Sequence, residues 1–248
     1  MPEGLAAALA LPGLLPIALA TLGAVYGFAG FGSALIFMPL ATVFIAPETA
    51  VLQMALFGLS SVVLLLPRAW GEAERRPTLV MLAAALVALP GGTWALAHLD
   101  VGLIRWAISA VVAVTLAALM AGWRSRAAPR PPLLVAVGGA AGLIGGATGL
   151  TGPAVILINL AGPGGARQTR ANTLVFLTIL GAALVPGLAL QGLVTAPALW
   201  LGVLLVPLYA AASRLGLALF SPARERLDRR TVYAIILAAL IAGLPLWH

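Results

Sequence analysis

The 248-residue chain has no cysteine, no lysine and only seven acidic residues. Without cysteine it can hold no disulfide, no thiolate metal site and no thiol relay. Charged residues are 8% of the total, too few for the solvated shell of a soluble domain. No Asp or Glu falls in the middle of an apolar stretch, so a proton relay through a buried carboxylate has no candidate. His98 and His248 form no metal-ligand spacing with the acids, and no metal, cofactor or catalytic residue is expected. The net charge of +7 comes entirely from 14 arginines and reads as membrane topology rather than a nucleic-acid footprint.

What the chain does have is apolar length. It is 62% hydrophobic with a mean hydropathy of +1.10, which identifies an all-α polytopic membrane protein with one transmembrane domain over 1–248. The opening "MPEGLAAALALPGLLP" lacks a basic region and carries Glu3, so the first apolar segment is expected to remain in the mature protein.

Apolar stretches fall at about 12–46, 50–66, 78–97, 101–122, 133–160, 171–190, 196–217 and 231–247. The first and fifth exceed the ~20 residues of one crossing. Glycine interrupts both, in "GFAGFGS" at 27–33 and "GLIGGATGLTG" at 142–152. Glycine costs about 1 kcal/mol per helix position relative to alanine, and an interior proline such as Pro153 about 3. A re-entrant hairpin, two short helices meeting at a glycine-rich tip, fits both stretches.

The arginines constrain the topology. Arg68, Arg75 and Arg76 lie between the second and third stretches, and Arg124, Arg126 and Arg130 between the fourth and fifth. Arg167 and Arg170 precede the sixth, and Arg214, Arg224, Arg226, Arg229 and Arg230 surround the last connection. The connections near Glu48, near Asp100 and at 191–195 have none, although Arg105 enters the helix after Asp100. Two hairpins, or two double spans, place the arginine-bearing loops on one side, the cytoplasm, with both termini outside. Length and glycine content favour hairpins over double spans. The opposite charge bias of corresponding loops predicts two inverted-topology repeats, about 12–122 and 133–247. Each would be a re-entrant hairpin plus three transmembrane helices, joined by "RSRAAPRPP" at 124–132.

Both halves carry extended signatures, "GFAGFGSALIFMPLATVFIAPETAV" and "GLIGGATGLTGPAVILINLAGPGGARQTRANTLVF". "PGGTWALAHLD" and "ARERLDRRTVYAIILAALIAGL" continue the pattern. Together they resemble the sulfite exporter TauE/SafE family, also called the 4-toluene sulfonate uptake permease family, in order along nearly the whole chain. The resemblance implies a transporter of the bacterial inner membrane for small sulfur-containing anions such as sulfite, sulfonates or other organosulfur acids. Substrate and direction vary within that family. Relatives that use cysteine are no guide to a chain that has none.

A hairpin tip would show an anion the N–H groups and positive dipole end of the returning helix. Glycine would let the anion approach the backbone. Substrate-binding candidates are therefore Gly30, Gly32 and Ser33 at the first tip, and Thr148, Gly149, Thr151 and Gly152 at the second. Gly23, Gly27, Gly138 and Gly142 read instead as close helix packing. Gln53 and Asn172 occupy corresponding positions and have two readings, an amide donor to substrate or interhelical glue. Arg170 is either an anion-attracting gate or a marker of the cytoplasmic interface.

Export is favoured energetically, because a potential negative inside drives each negative charge outward with about 2.3 kcal/mol per 100 mV. Alternatives are a channel-like anion pore, an importer coupled to an unidentified ion, and a structural subunit. A small-residue face would allow a homodimer. "GFGSA" also faintly resembles an intramembrane serine protease, for which His98 would be the general base available to Ser33.

Overall fold

The computed structural model describes residues 3–11, 13–26, 33–122, 130–159, 166–219 and 225–246. Every element among them is an α-helix. Gly30 and Gly32 lie outside the described residues, as do Gly27, most of the 124–132 join and His248.

The first interrupted stretch forms α2 (Leu14–Tyr26) and α3 (Ser33–Phe44), which pack against each other. A helix that the apolar map did not anticipate, α1 (Glu3–Leu9), precedes them at an angle of 76° and packs on α10 (Ala196–Leu219). The second interrupted stretch forms α7 (Pro131–Thr148) and the short α8 (Pro153–Asn159). The two arms of this break are unequal. At ~1.5 Å per residue α7 is nearly as long as the ~30 Å hydrocarbon layer is thick, so it is not the short arm expected.

The remaining helices are α4 (Pro47–Glu72), α5 (Arg75–His98), α6 (Val101–Met120), α9 (Ala166–Leu190) and α11 (Glu225–Ala242). Several run past the apolar stretches that forecast them. Arg170 falls inside α9 and Arg68 inside α4, because arginine is a good helix former. Among the described residues, α5, α6, α7 and Gln168–Leu190 have the length and composition to cross a membrane, and the α1–α2 pair would add a bent fifth span.

Local chemistry sets the helix starts. Asp100 caps α6, its Oδ1 accepting from the N–H groups of Gly102 (2.8 Å) and Leu103 (3.4 Å). Pro47 and Pro131 sit in the first turns of α4 and α7, where no intrahelical N–H bond is lost. Interior prolines stand at 39, 67, 90, 186 and 207, each removing one bond to the carbonyl four residues earlier in its helix.

At the centre α4 lies against α9, burying Val51, Leu52, Ala55 and Phe57 with Phe176, Leu180 and Leu184. α5 packs on α7 and α9, and α10 packs on α2 and α4. α3 contacts α4, α6 and α11, and α8 contacts α7 and α9.

The α5–α7 contact is a seam of small residues. A Cβ at Gly138 would fall within the carbonyl of Met81, and a Cβ at Gly142 within that of Ala85. Gly146 faces Gly92 across the same line, where a Cβ would lie 2.9 Å from the Gly92 Cα. Backbones at this range gain dispersion and Cα–H···O contacts, the means by which helices associate in lipid. Gly138 and Gly142 are packing glycines, as their spacing indicated.

Candidate functional site

A cavity of about 120 Å³ lies between α3, α4, α9, α10 and the α7–α8 connection. Ser33 and Ala34, the first residues of α3, form one wall, and Gly149, Thr151 and Gly152 form another. Arg170, Leu174, Leu177, Thr178, Gly181 and Leu184 line it from α9, and Met54, Ala55, Phe57 and Gly58 from α4. Tyr209 of α10 closes it, its ring stacked on Phe57 with centroids 4.4 Å apart.

The α7–α8 connection takes its shape from glycine. Gly149 ends α7 with φ 70°, the left-handed conformation that a side chain disfavours, and its N–H donates to the Gly145 carbonyl at 2.8 Å. Thr148 tightens the same turn. Its hydroxyl donates to Ile144 O (2.6 Å) and accepts from the Leu150 N–H (3.3 Å), so it works for the backbone and does not line the cavity. A Cβ at Gly145 would meet Thr151, so the bare α7 surface lets the chain fold back beside it. Thr151 thereby comes within the same cavity as Ser33, from the other half of the chain.

On the opposite wall, α4 and α9 cross at Gly58 and Gly181; a Cβ on either would lie 3.8–3.9 Å from the other's Cα. Side chains here would narrow the cavity. The lining is therefore apolar on the Phe57–Tyr209–Leu177 side, with hydroxyls at Ser33, Thr151 and Thr178 and a guanidinium at Arg170. Among the described residues no Asp or Glu lines it. Positive charge without a competing carboxylate suits an anion.

Gln53 and Asn172 are placed elsewhere. The Gln53 Nε2 donates across to the Ala198 carbonyl of α10 at 2.8 Å, and the side chain is fully buried. Asn172 Oδ1 accepts from the N–H of Glu74, the residue that caps α5, at 2.7 Å. Both amides join helices, and neither lines the cavity. Asn172→Ala is expected to lower the melting temperature, because the Glu74 N–H loses its partner at about 1–3 kcal/mol. Anion affinity should stay within about twofold of wild type. A tenfold loss of affinity at unchanged melting temperature would reverse the assignment.

Sequence reading named Ser33, Gly149, Thr151, Gly152 and Arg170, all of which line the cavity. It missed Thr178, Phe57, Tyr209, Gly58 and Gly181. A usable signal existed for Thr178, a hydroxyl in the otherwise apolar run "LVFLTILGAAL" with a glycine three residues on.

A family model described as sulfite exporter TauE/SafE matches residues 14–244. The chain belongs to the TauE/SafE family. No curated protein and no solved structure gave a match. TauE/SafE proteins are membrane transporters of sulfite and related sulfur anions, not enzymes. The serine-protease reading of Ser33 is accordingly set aside. His98 is exposed at the end of α5, its Nδ1 2.9 Å from the Trp94 carbonyl and its ring stacked on Trp94.

Proposed function

We propose that this TauE/SafE chain exports a small sulfur-containing anion, sulfite or an organosulfonate, across the bacterial inner membrane by alternating access. The cavity is the proposed substrate site. The observation that carries this reading is the meeting of Ser33, Thr151 and Arg170, distant in sequence, around one space that no carboxylate of the described residues enters. Two hydroxyl donors, the N–H end of the twelve-residue α3 and a guanidinium are the groups that oxyanions select. Arg170 is the most exposed of them and is assigned to drawing the anion in.

The helix pairing supports two inverted halves. α4 and α9 meet at the centre, while α5 lies on α7 and α9 and α10 lies on α2 and α4, the same relations with the halves exchanged. In this reading the arginine-bearing loops face the cytoplasm and both termini face the periplasm.

Binding of sulfite, sulfate, thiosulfate, taurine, sulfoacetate and acetate to purified protein tests the assignment. Selective binding of a sulfur anion is expected. Its affinity should drop roughly tenfold in Arg170→Gln, about 1.4 kcal/mol, and largely return in Arg170→Lys. Folded wild type that binds none of the panel would overturn it. For direction, efflux from proteoliposomes should persist when an ionophore collapses the proton gradient at clamped potential. Flux that stops would assign coupling to protons.

A further inference from the structure

Five of the eight buried threonines among the described residues share a habit. Thr21, Thr42, Thr115, Thr148 and Thr173 each donate to the carbonyl four residues earlier. Ser109, on α6, does not. Its residue is only 4% exposed, and its Oγ has no partner among the described residues. The residue four places earlier is Arg105, whose Nε is also buried and unpartnered. A spacing of four puts the two on one face of α6, one above the other. The other unpartnered side-chain atoms, Gln53 Oε1 and Thr78 Oγ1, stand singly on different helices and carry no charge.

Arg105 is also the arginine that departs from the charge pattern. The other 13 lie in or beside the arginine-bearing connections, whereas Arg105 is five residues from Asp100 at the opposite end of α5 and α6. The Asp100 carboxylate serves its own helix, where Oδ1 accepts from the Gly102 and Leu103 N–H groups. Exposed Trp94 and Trp106 mark the same end as a membrane boundary, which sets Arg105 near the boundary and Ser109 one turn deeper. A guanidinium Nε and a hydroxyl buried without partners on one face in a membrane bundle are costly, and a polyoxygen anion supplies several acceptors.

We propose that Arg105 and Ser109 form a second anion site, at the end of the bundle opposite the arginine-bearing loops, which takes a sulfate- or sulfonate-type oxyanion. Its role as an outer staging point rests on the transporter reading; its existence does not. Because the chain has no cysteine, Ser109→Cys in the full-length, reconstituted protein carries a single thiol. That thiol is labelled from the α6 N-terminal side with an anionic sulfonatoethyl or a cationic trimethylammonium methanethiosulfonate. The anionic reagent is expected to react about tenfold faster, as a nearby guanidinium steers anions, and sulfate should slow it. Both effects should vanish in the Arg105→Gln background. Equal rates without sulfate protection, or no reaction with either reagent, would overturn the proposal and leave Arg105 a boundary anchor.

A second measurement holds if Ser109→Cys fails to fold. Arg105→Gln should raise the half-saturating sulfite concentration about tenfold from the outer side, through the same lost attraction, and leave the inner side unchanged. An equal change on both sides, or none, would count against the site. Should wild type move no sulfur anion while the labelling pattern holds, the transport reading falls and the anion site stands.

Discussion

Gly142→Leu is expected to leave almost no folded protein, while Gly139→Ala, three positions away, should leave the fold intact. The two glycines differ in what faces them. A Cβ at Gly142 collides with the Ala85 carbonyl, which is backbone and cannot rotate away, whereas a Cβ at Gly139 meets nothing within 4 Å. Accommodating leucine would force α5 and α7 apart along their contact and forfeit the close contacts at Gly138 and Gly146. The cost lies at or above the ~3 kcal/mol typical of severe overpacking. Replacing the half-buried Gly139, where there is open space for a Cβ, should instead gain up to about 1 kcal/mol of helix propensity. Size-exclusion profiles and melting curves of detergent-solubilised protein read both variants. A Gly142→Leu protein melting within about 2 °C of wild type, about 0.5–1 kcal/mol, would mean that the seam is not what holds the helices together.

The second large effect concerns function without folding. Ser33→Ala combined with Thr151→Val should reduce anion affinity by roughly 100-fold or more, because each hydroxyl donor to a charged acceptor contributes about 1.5–3 kcal/mol. Valine keeps the Cγ2 that packs over Gly145, so the α7–α8 connection retains its contact. The melting temperature of the unliganded protein should therefore change little. The single variants locate the effect: a loss confined to one of them would move the anion to that wall of the cavity. Unchanged affinity in the double variant, with the protein folded, would remove the cavity from the substrate path.

How much of this was legible beforehand depends on whether a residue's role is local. Gly149 and Pro153 announce a helix end by their own backbone requirements, and the break between α7 and α8 falls there. Gly138 and Gly142 repeat at helical spacing, and a four-residue period of glycine means a face made for another backbone. Arg170 was legible as an arginine near an apolar helix, though not as a cavity residue inside α9. Gln53 and Asn172 show the opposite case. Both are buried amides a few residues into central helices, and nothing in their neighbours says whether the amide meets an anion, a carbonyl of α10 or the first N–H of α5. Those partners lie 145 and 98 residues away along the chain. Tyr209 is hidden for the same reason, since its stacking on Phe57 exists only once α10 lies against α4. The helix α1 was missed because it is short and opens on a charged Glu3; Gly4 gives it a place against Trp200, where a Cβ would be 2.8 Å from the indole.

The seam between α5 and α7 also has an order in time. α5 ends at His98 and α7 does not begin until Pro131, with α6 between them. During synthesis α5 must enter the bilayer with Ala85, Gly92 and the carbonyls beside them turned toward lipid or the insertion machinery. The helix that fits them is not yet made. A face of this kind accepts any helix whose backbone can come as close, so α5 is open to other small-residue helices until α7 arrives. A chain truncated before Pro131 would keep that face open, with the Met81 and Ala85 carbonyls lacking the glycines that lie against them.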